Sequence, residues 1–211
     1  APGAPELAPR VQQLLRAAGI ESHTVDQGGL DHGIWTPLRY AWPQADVPVL
    51  PLGFVPTWTP AQLHAFGRAL APLADEGVLV VGSGSLTHNL RMVFGASRPP
   101  VDAPEVDSSA EFRQWVLERA AAADWPALYD CRRQAPHAAL MHPTDEHWLP
   151  WYPAAGAAGD GQTRRRQADA VHIGRVGQQF GLGDDAGAAV FGDRRQRHRT
   201  RRRGVIHHRH T

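Results

Sequence analysis

Three histidines stand in three short segments of this chain: Gly29-Leu30-Asp31-His32-Gly33, Gly82-Ser83-Gly84-Ser85-Leu86-Thr87-His88-Asn89 and His142-Pro143-Thr144-Asp145-Glu146-His147-Trp148-Leu149-Pro150. Imidazole titrates near neutrality and ligates metals, so histidines that converge from separate turns can hold a metal or move a proton. His32, His88 and His147 are therefore the candidate site residues, expected to face one pocket. The sole cysteine, Cys131, excludes an internal disulfide and any multi-cysteine zinc site, so a metal here would need imidazole and carboxylate ligands. Cys131 has no base beside it in sequence and reads as structural. His142 is less constrained, and His23, His64 and His137 read as surface or structural residues.

The elements that must position these residues follow from local pattern. Pro5 to Ala18 places Leu7, Val11, Leu14 and Leu15 at helical spacing before Gly19, which predicts an amphipathic helix. The apolar run Val47 to Phe54 predicts a strand, with its prolines favouring an edge or a kinked path. Thr59-Pro60 supplies an N-cap and a first-turn proline for a helix to about Ala74, carrying Leu63, Phe66, Leu70 and Leu73 on one face. Val78 to Val81 predicts a central strand. Strand, helix and strand in that order predict a parallel pair in an α/β sheet covered on both faces, a three-layer, parallel-rich mixed sheet. The Gly82-Ser83-Gly84-Ser85 turn then leaves the carboxyl end of a strand, where open α/β sheets put their ligands. Ser109 to Ala123 predicts a further helix with Phe112, Val116 and Leu117 inward. Thr144 is expected to N-cap another, with Asp145 and Glu146 complementing its dipole and His147 at its third position.

Composition divides the 211 residues in two. Residues 1–161 hold ten Arg against seventeen Asp plus Glu, whereas residues 162–211 hold twelve Arg against four Asp. Lysine is absent from the whole chain, and the abundance of Ala, Gly, Pro and Arg suggests a GC-rich coding sequence. The expectation is a domain over 1–161 and an Arg-rich, largely disordered tail over 162–211. No internal repeat is visible. No apolar run is long enough to span a bilayer and the first residues resemble no secretory signal, so a cytoplasmic location is expected.

Taken together and in this order, the three segments resemble the class III extradiol ring-cleavage dioxygenases, specifically their DOPA 4,5-dioxygenase-like branch. The resemblance rests on Gly29 to Gly33 with the following Ile34-Trp35-Thr36-Pro37-Leu38, and on Tyr40 to Pro43 with Ala45-Asp46-Val47-Pro48-Val49. It continues through Gly82 to Leu90 and Pro143 to Pro150, and covers roughly residues 1–161. It implies one non-haem Fe(II) or Zn(II) per complete site, and a catechol or DOPA-like diol that O2 opens to a muconate semialdehyde-type product. By resemblance His147, in its Glu-His-x-Leu-Pro context, is a metal ligand and His88 is the acid–base residue over the substrate. His32 is then a group near oxygen and the catecholate. A facial ligand set leaves adjacent open positions for diol and O2, and an imidazole can take the second phenolic proton and later return one.

The departures are specific. The family's first two ligands lie in His-Gly-Ser-Pro and Ser-Ala-His-Trp contexts, and neither occurs in this sequence. The start, Ala1 to Ala8, resembles a segment that follows the second ligand, so the expectation is an N-terminally shortened chain with little activity of its own. The family's closing glycine-rich strand is replaced after Gly161 by the Arg-rich tract, as a reading-frame shift would produce. The alternative function is nucleic-acid binding through that tract, but it lacks interleaved aromatics and a recognisable binding fold.

Overall fold

The computed structural model describes residues 1–159, apart from Gln27, Phe54, Pro56, residues 95–99 and Val101, together with the strand backbone of residues 188–192. In chain order the elements are α1 (Ala8–Ala17), α2 (His32–Ala41), β1 (Val49–Leu52), α3 (Pro60–Leu70), β2 (Val78–Gly82) and α4 (Leu90–Phe94). They continue with α5 (Asp107–Ala121), α6 (Trp125–Tyr129), α7 (Cys131–Gln134), α8 (Ala138–Met141), α9 (Trp151–Ala157) and β3 (Ala188–Gly192).

Local signals explain most boundaries. The helix expected from Pro5 begins as a 3-10 turn at Pro5–Leu7, becomes α1, and stops at Gly19, whose φ of +74° is the left-handed conformation that ends helices. α3 starts at a reciprocal cap: the Gln62 N–H donates to Thr59 Oγ1 (3.3 Å) and the Thr59 N–H donates to Gln62 Oε1 (2.8 Å). It runs on into a 3-10 turn at Ala71–Ala74. The segment around His32, read from sequence as a glycine-bounded turn, opens α2 instead. Asp31 caps it by accepting the Ile34 N–H at 3.0 Å. Pro37 inside the helix hides that signal from a periodicity argument.

The sheet corrects the expected topology. Its order is β1-β3-β2, and β3 pairs antiparallel with both neighbours. β1 and β2 do run in the same direction, but they are not hydrogen-bonded to each other, so both ladders among the described strands are antiparallel rather than parallel. The inserted strand comes from the expected tail. Ala188 to Gly192 is a short apolar stretch whose signal is lost when composition is averaged over an arginine-rich segment, and it is a strand, not disordered. The rest of residues 162–211, and the nucleic-acid reading that depends on them, lie outside the described residues.

Alternation along the strands distributes the helices. Val49 and Val81 pack with Ile34 and Leu38 of α2. Their neighbours Leu50, Leu52, Val78 and Val80 point the other way and pack with Val11 and Leu15 of α1 and Phe66 and Leu70 of α3. A third cluster, built on Leu63, Phe112, Val116, Met141, Trp148 and Tyr152, joins α3 and α5 to α9 and the turns that precede it. Leu117, expected inward with Phe112 and Val116, is only half-buried. α3 and α9 approach so closely that a Cβ at Gly67 would collide with the Pro153 carbonyl, and one at Gly156 with the His64 carbonyl. No helix among the described residues is long and apolar enough to cross a membrane.

Candidate metal centre

The site is made by zipping the segment after β2 onto the segment before α9. Gly82 and Gly84 allow the approach, because a Cβ at Gly82 would strike the Pro150 carbonyl and one at Gly84 the His147 carbonyl. The Ser85 N–H then donates to the His147 carbonyl (2.9 Å), and the His88 N–H donates to the Met141 carbonyl (2.8 Å). Asn89 Nδ2 donates to the Leu140 carbonyl at 2.7 Å. Arg132, from α7, grips the other strand of the zipper: its guanidinium donates to the His142 and Pro143 carbonyls and to Asp145 Oδ1 (2.7 Å).

This zipper lays His88 on His147. Their rings stack with centroids 3.5 Å apart and planes 14° from parallel. Glu146 lies beside them, its Oε1 3.5 Å from His147 Nδ1. Donor atoms of His88, Glu146 and His147 all fall within 4.8 Å of one another, and His147 is buried. Partial burial works against the Glu146 carboxylate, but the Thr144 hydroxyl, its own backbone N–H and the two imidazoles hold its pKa below the usual range. Two imidazoles and a carboxylate suit Fe(II) or Zn(II) chemically. The stack adds a restriction. An imidazole lone pair lies in its ring plane, so rings stacked face to face direct their lone pairs within separate, nearly parallel planes.

Two of the sequence-predicted histidines are thus brought together. His32 occupies the first position of α2, its ring 6.3 Å from that of Trp35, and is not part of the donor cluster. The expected helix capped by Thr144 does not form. Residues 146–150 make successive turns, with the Trp148 and Leu149 N–H groups both donating to the Asp145 carbonyl, and α9 begins at Trp151. The Thr144 hydroxyl donates instead to Glu146 Oε1 at 2.6 Å, so the carboxylate read as a dipole complement is turned towards the histidines. Sequence reasoning had no signal for that beyond adjacency to His147. Cys131 is buried as expected, with its thiol pushed up to about 12 by burial first and by Asp145 second. His64 is also internal, its ring stacked on Trp125 and its Nδ1 2.7 Å from the Tyr129 hydroxyl.

His142 is the residue the sequence undervalued. It is 2% exposed, and its Nε2 donates to the Leu86 carbonyl at 2.8 Å, locking the two segments together two residues before His88. Burial lowers its pKa to about 4, with His88 and His147 acting in the same direction and the Leu86 carbonyl and Asp145 opposing. Between pH 6.5 and about 4 the unfolded chain binds a proton that the folded chain refuses, so stability is present above that window and falls as pH drops through it. The loss is expected to reach about 3 kcal/mol. Urea midpoints at pH 7, 5.5 and 4.5 measure it. A His142→Gln variant, with no titrating group there, should show a shallower fall, and parallel curves would remove His142 as the cause.

A mixed α/β fold that sets a stacked histidine pair and a carboxylate beside the carboxyl end of a strand has a donor set that could hold a metal ion. Sequence comparison is more specific: the chain belongs to the family of the catalytic LigB subunit of aromatic ring-opening dioxygenase, which matches residues 1–181. A 4,5-DOPA dioxygenase extradiol of Beta vulgaris is 38% identical over 82% of this chain and 61% of its own length. One of Escherichia coli K12 is 36% identical over 77% of this chain and 58% of its own. The crystal structure of an uncharacterized Escherichia coli K12 protein superposes with a TM-score of 0.63 at 26% identity, covering 92% of this chain and 74% of that one. The chain therefore spans about three fifths of the length of these curated relatives.

Proposed function

We propose that the protein works as an extradiol ring-cleaving dioxygenase on a catechol or DOPA-like diol, with O2 as the second substrate. The observation that carries this reading is the His88–His147 stack beside Glu146 in a chain of the LigB family. His147 is the metal ligand. It is the buried ring, and Glu146, whose Oε1 lies 3.5 Å from its Nδ1, would add a carboxylate donor beside it. A bound Fe(II), or Zn(II) in its place, supplies adjacent open positions at which a diol chelates. His88, stacked on His147, would take the second phenolic proton on a ring nitrogen and return a proton as the ring opens. Zippered backbone holds both rings, so little reorganisation is needed when the diol arrives. His32, at the start of the helix that packs against Val81, is by the family resemblance a group near oxygen and the catecholate. Residues 1–161 carry this chemistry.

The test uses the 211-residue chain and a fusion that prefixes the N-terminal segment of a relative carrying the His-Gly-Ser-Pro and Ser-Ala-His-Trp motifs. The chain alone is expected to bind Fe(II) or Zn(II) weakly and to cleave DOPA little, because one imidazole and an exposed carboxylate do not fix a metal's geometry. The fusion should bind metal tightly and, with Fe(II), form a yellow semialdehyde-type product. Robust turnover by the unextended chain would overturn the weak-site prediction, and a fusion that binds metal but cleaves no catechol would overturn the dioxygenase reading.

A further inference from the structure

The α7 residue Arg132 stands apart from the donor cluster, yet it holds the segment that leads into it. Its guanidinium donates to the His142 carbonyl, to the Pro143 carbonyl (3.3 Å) and to Asp145 Oδ1 (2.7 Å). Two of these acceptors lead to the stacked rings by different routes. His142 is the residue whose Nε2 donates to the Leu86 carbonyl (2.8 Å), two residues before His88. Asp145 opens the turn that carries Glu146 and His147, its own carbonyl accepting the Trp148 and Leu149 N–H groups, both at 2.9 Å. Pro143 lies between them without an N–H, so only its carbonyl can be held. As an ion pair the contact contributes little stability, because the Arg132 and Asp145 side chains are 45% and 46% exposed. Its value is geometric. A guanidinium is a rigid planar fork, so acceptors that share it are fixed relative to one another, which a single rotating ammonium cannot do.

We propose that Arg132 is a positioning residue for the metal centre, setting through His142 and Asp145 the register in which His88 lies over His147 beside Glu146. Metal–donor distances vary by only about 0.2 Å, so a shift of residues 142–145 that leaves the protein folded still spoils the donor set. Phe112, Trp148 and Tyr152 pack together in the core cluster beneath this segment. The fold therefore outlasts loss of the fork, whereas the overlap of the two rings does not. This role rests on the metal-site reading, but the ring stack can be measured without an ion, so the two can fail separately.

Arg132→Met keeps the aliphatic stem and removes every donor, Arg132→Lys keeps the charge without the fork, and Arg133→Met, on the same helix at 82% exposure, is the control. In the metal-free 211-residue chain the histidine ring protons report the stack by magnetic resonance, because rings 3.5 Å apart shield one another. The His88 and His147 signals are expected to lie upfield in the parent and in Arg133→Met, and to move back towards free imidazole positions in both Arg132 variants. Zn(II) titration followed by the same signals should show affinity falling about tenfold or more in those two variants, the size usual for losing outer support of metal ligands. Urea midpoints should stay near that of the parent. Unchanged ring signals in a folded Arg132→Met protein would overturn the proposal, as would parent-like signals in Arg132→Lys or an equal shift in Arg133→Met. Ring signals that shift while Zn(II) affinity stays at the parent value would overturn the metal-centre role. Arg132 variants that fail to fold would make the residue a general stabiliser and overturn it too. A fusion that cleaves no catechol would leave these ring and Zn(II) results standing, and so tests the dioxygenase reading separately.

Discussion

Replacing Gly67 with alanine is expected to destabilise the fold by about 3 kcal/mol or more, even though alanine is the better helix former. The propensity gain in α3 is about 1 kcal/mol. Against it stands a Cβ driven into the carbonyl, carbonyl carbon and Cα of Pro153, which are backbone atoms of a packed helix and cannot swing aside as a flexible side chain would. α3 and α9 must separate, and the layer containing Leu63, Leu70 and Tyr152 loosens with them. Gly156→Ala, aimed at the His64 carbonyl from the opposite helix, should behave alike, whereas Gly28→Ala, with nothing within 4 Å, should change little. Urea denaturation followed by circular dichroism measures all three. A midpoint for Gly67→Ala that matches the parent protein would show that the helices do not meet at these glycines.

The second large effect divides the stacked pair. In the fusion that carries the additional ligand motifs, His88→Ala is expected to keep its metal but lose turnover by a factor of about a hundred or more, the usual consequence of removing a positioned acid–base group. His147→Ala is expected to lose the metal itself. The geometry motivates the split, because rings 3.5 Å apart and 14° from parallel direct their lone pairs within separate planes, and His147 is the buried one. Metal content after dialysis and single-turnover product formation, measured on both variants, read the two roles separately. Metal retained by His147→Ala together with lost turnover would assign proton transfer to His147 and reverse the division.

What the sequence determined by itself is what neighbouring residues can decide. The Thr59-Pro60 cap, the Gly19 stop, the Val78 to Val81 run and the spacing of Phe112 and Val116 act within one or two turns of chain, and α1, α3, β2 and α5 form where they point. The three histidine segments were also legible, since their residue types and order carry the family resemblance. Tertiary structure decided how they meet. β3 enters the sheet from more than a hundred residues beyond β2, so no local signal could separate β1 from β2. Gly82 and Gly84 read as turn residues, yet their lack of a Cβ is required by the carbonyls of Pro150 and His147. Thr144 has the chemistry of a helix cap, but the turns that run through Pro150 to α9 direct its hydroxyl to Glu146. His142, five residues from His147 and featureless in sequence, becomes a buried strut only because Leu86 presents a carbonyl to it across the zipper. Capping and periodicity are short-range energies, whereas a site assembled from residues 82–90 and 140–150 depends on which backbones can approach closely enough to bond.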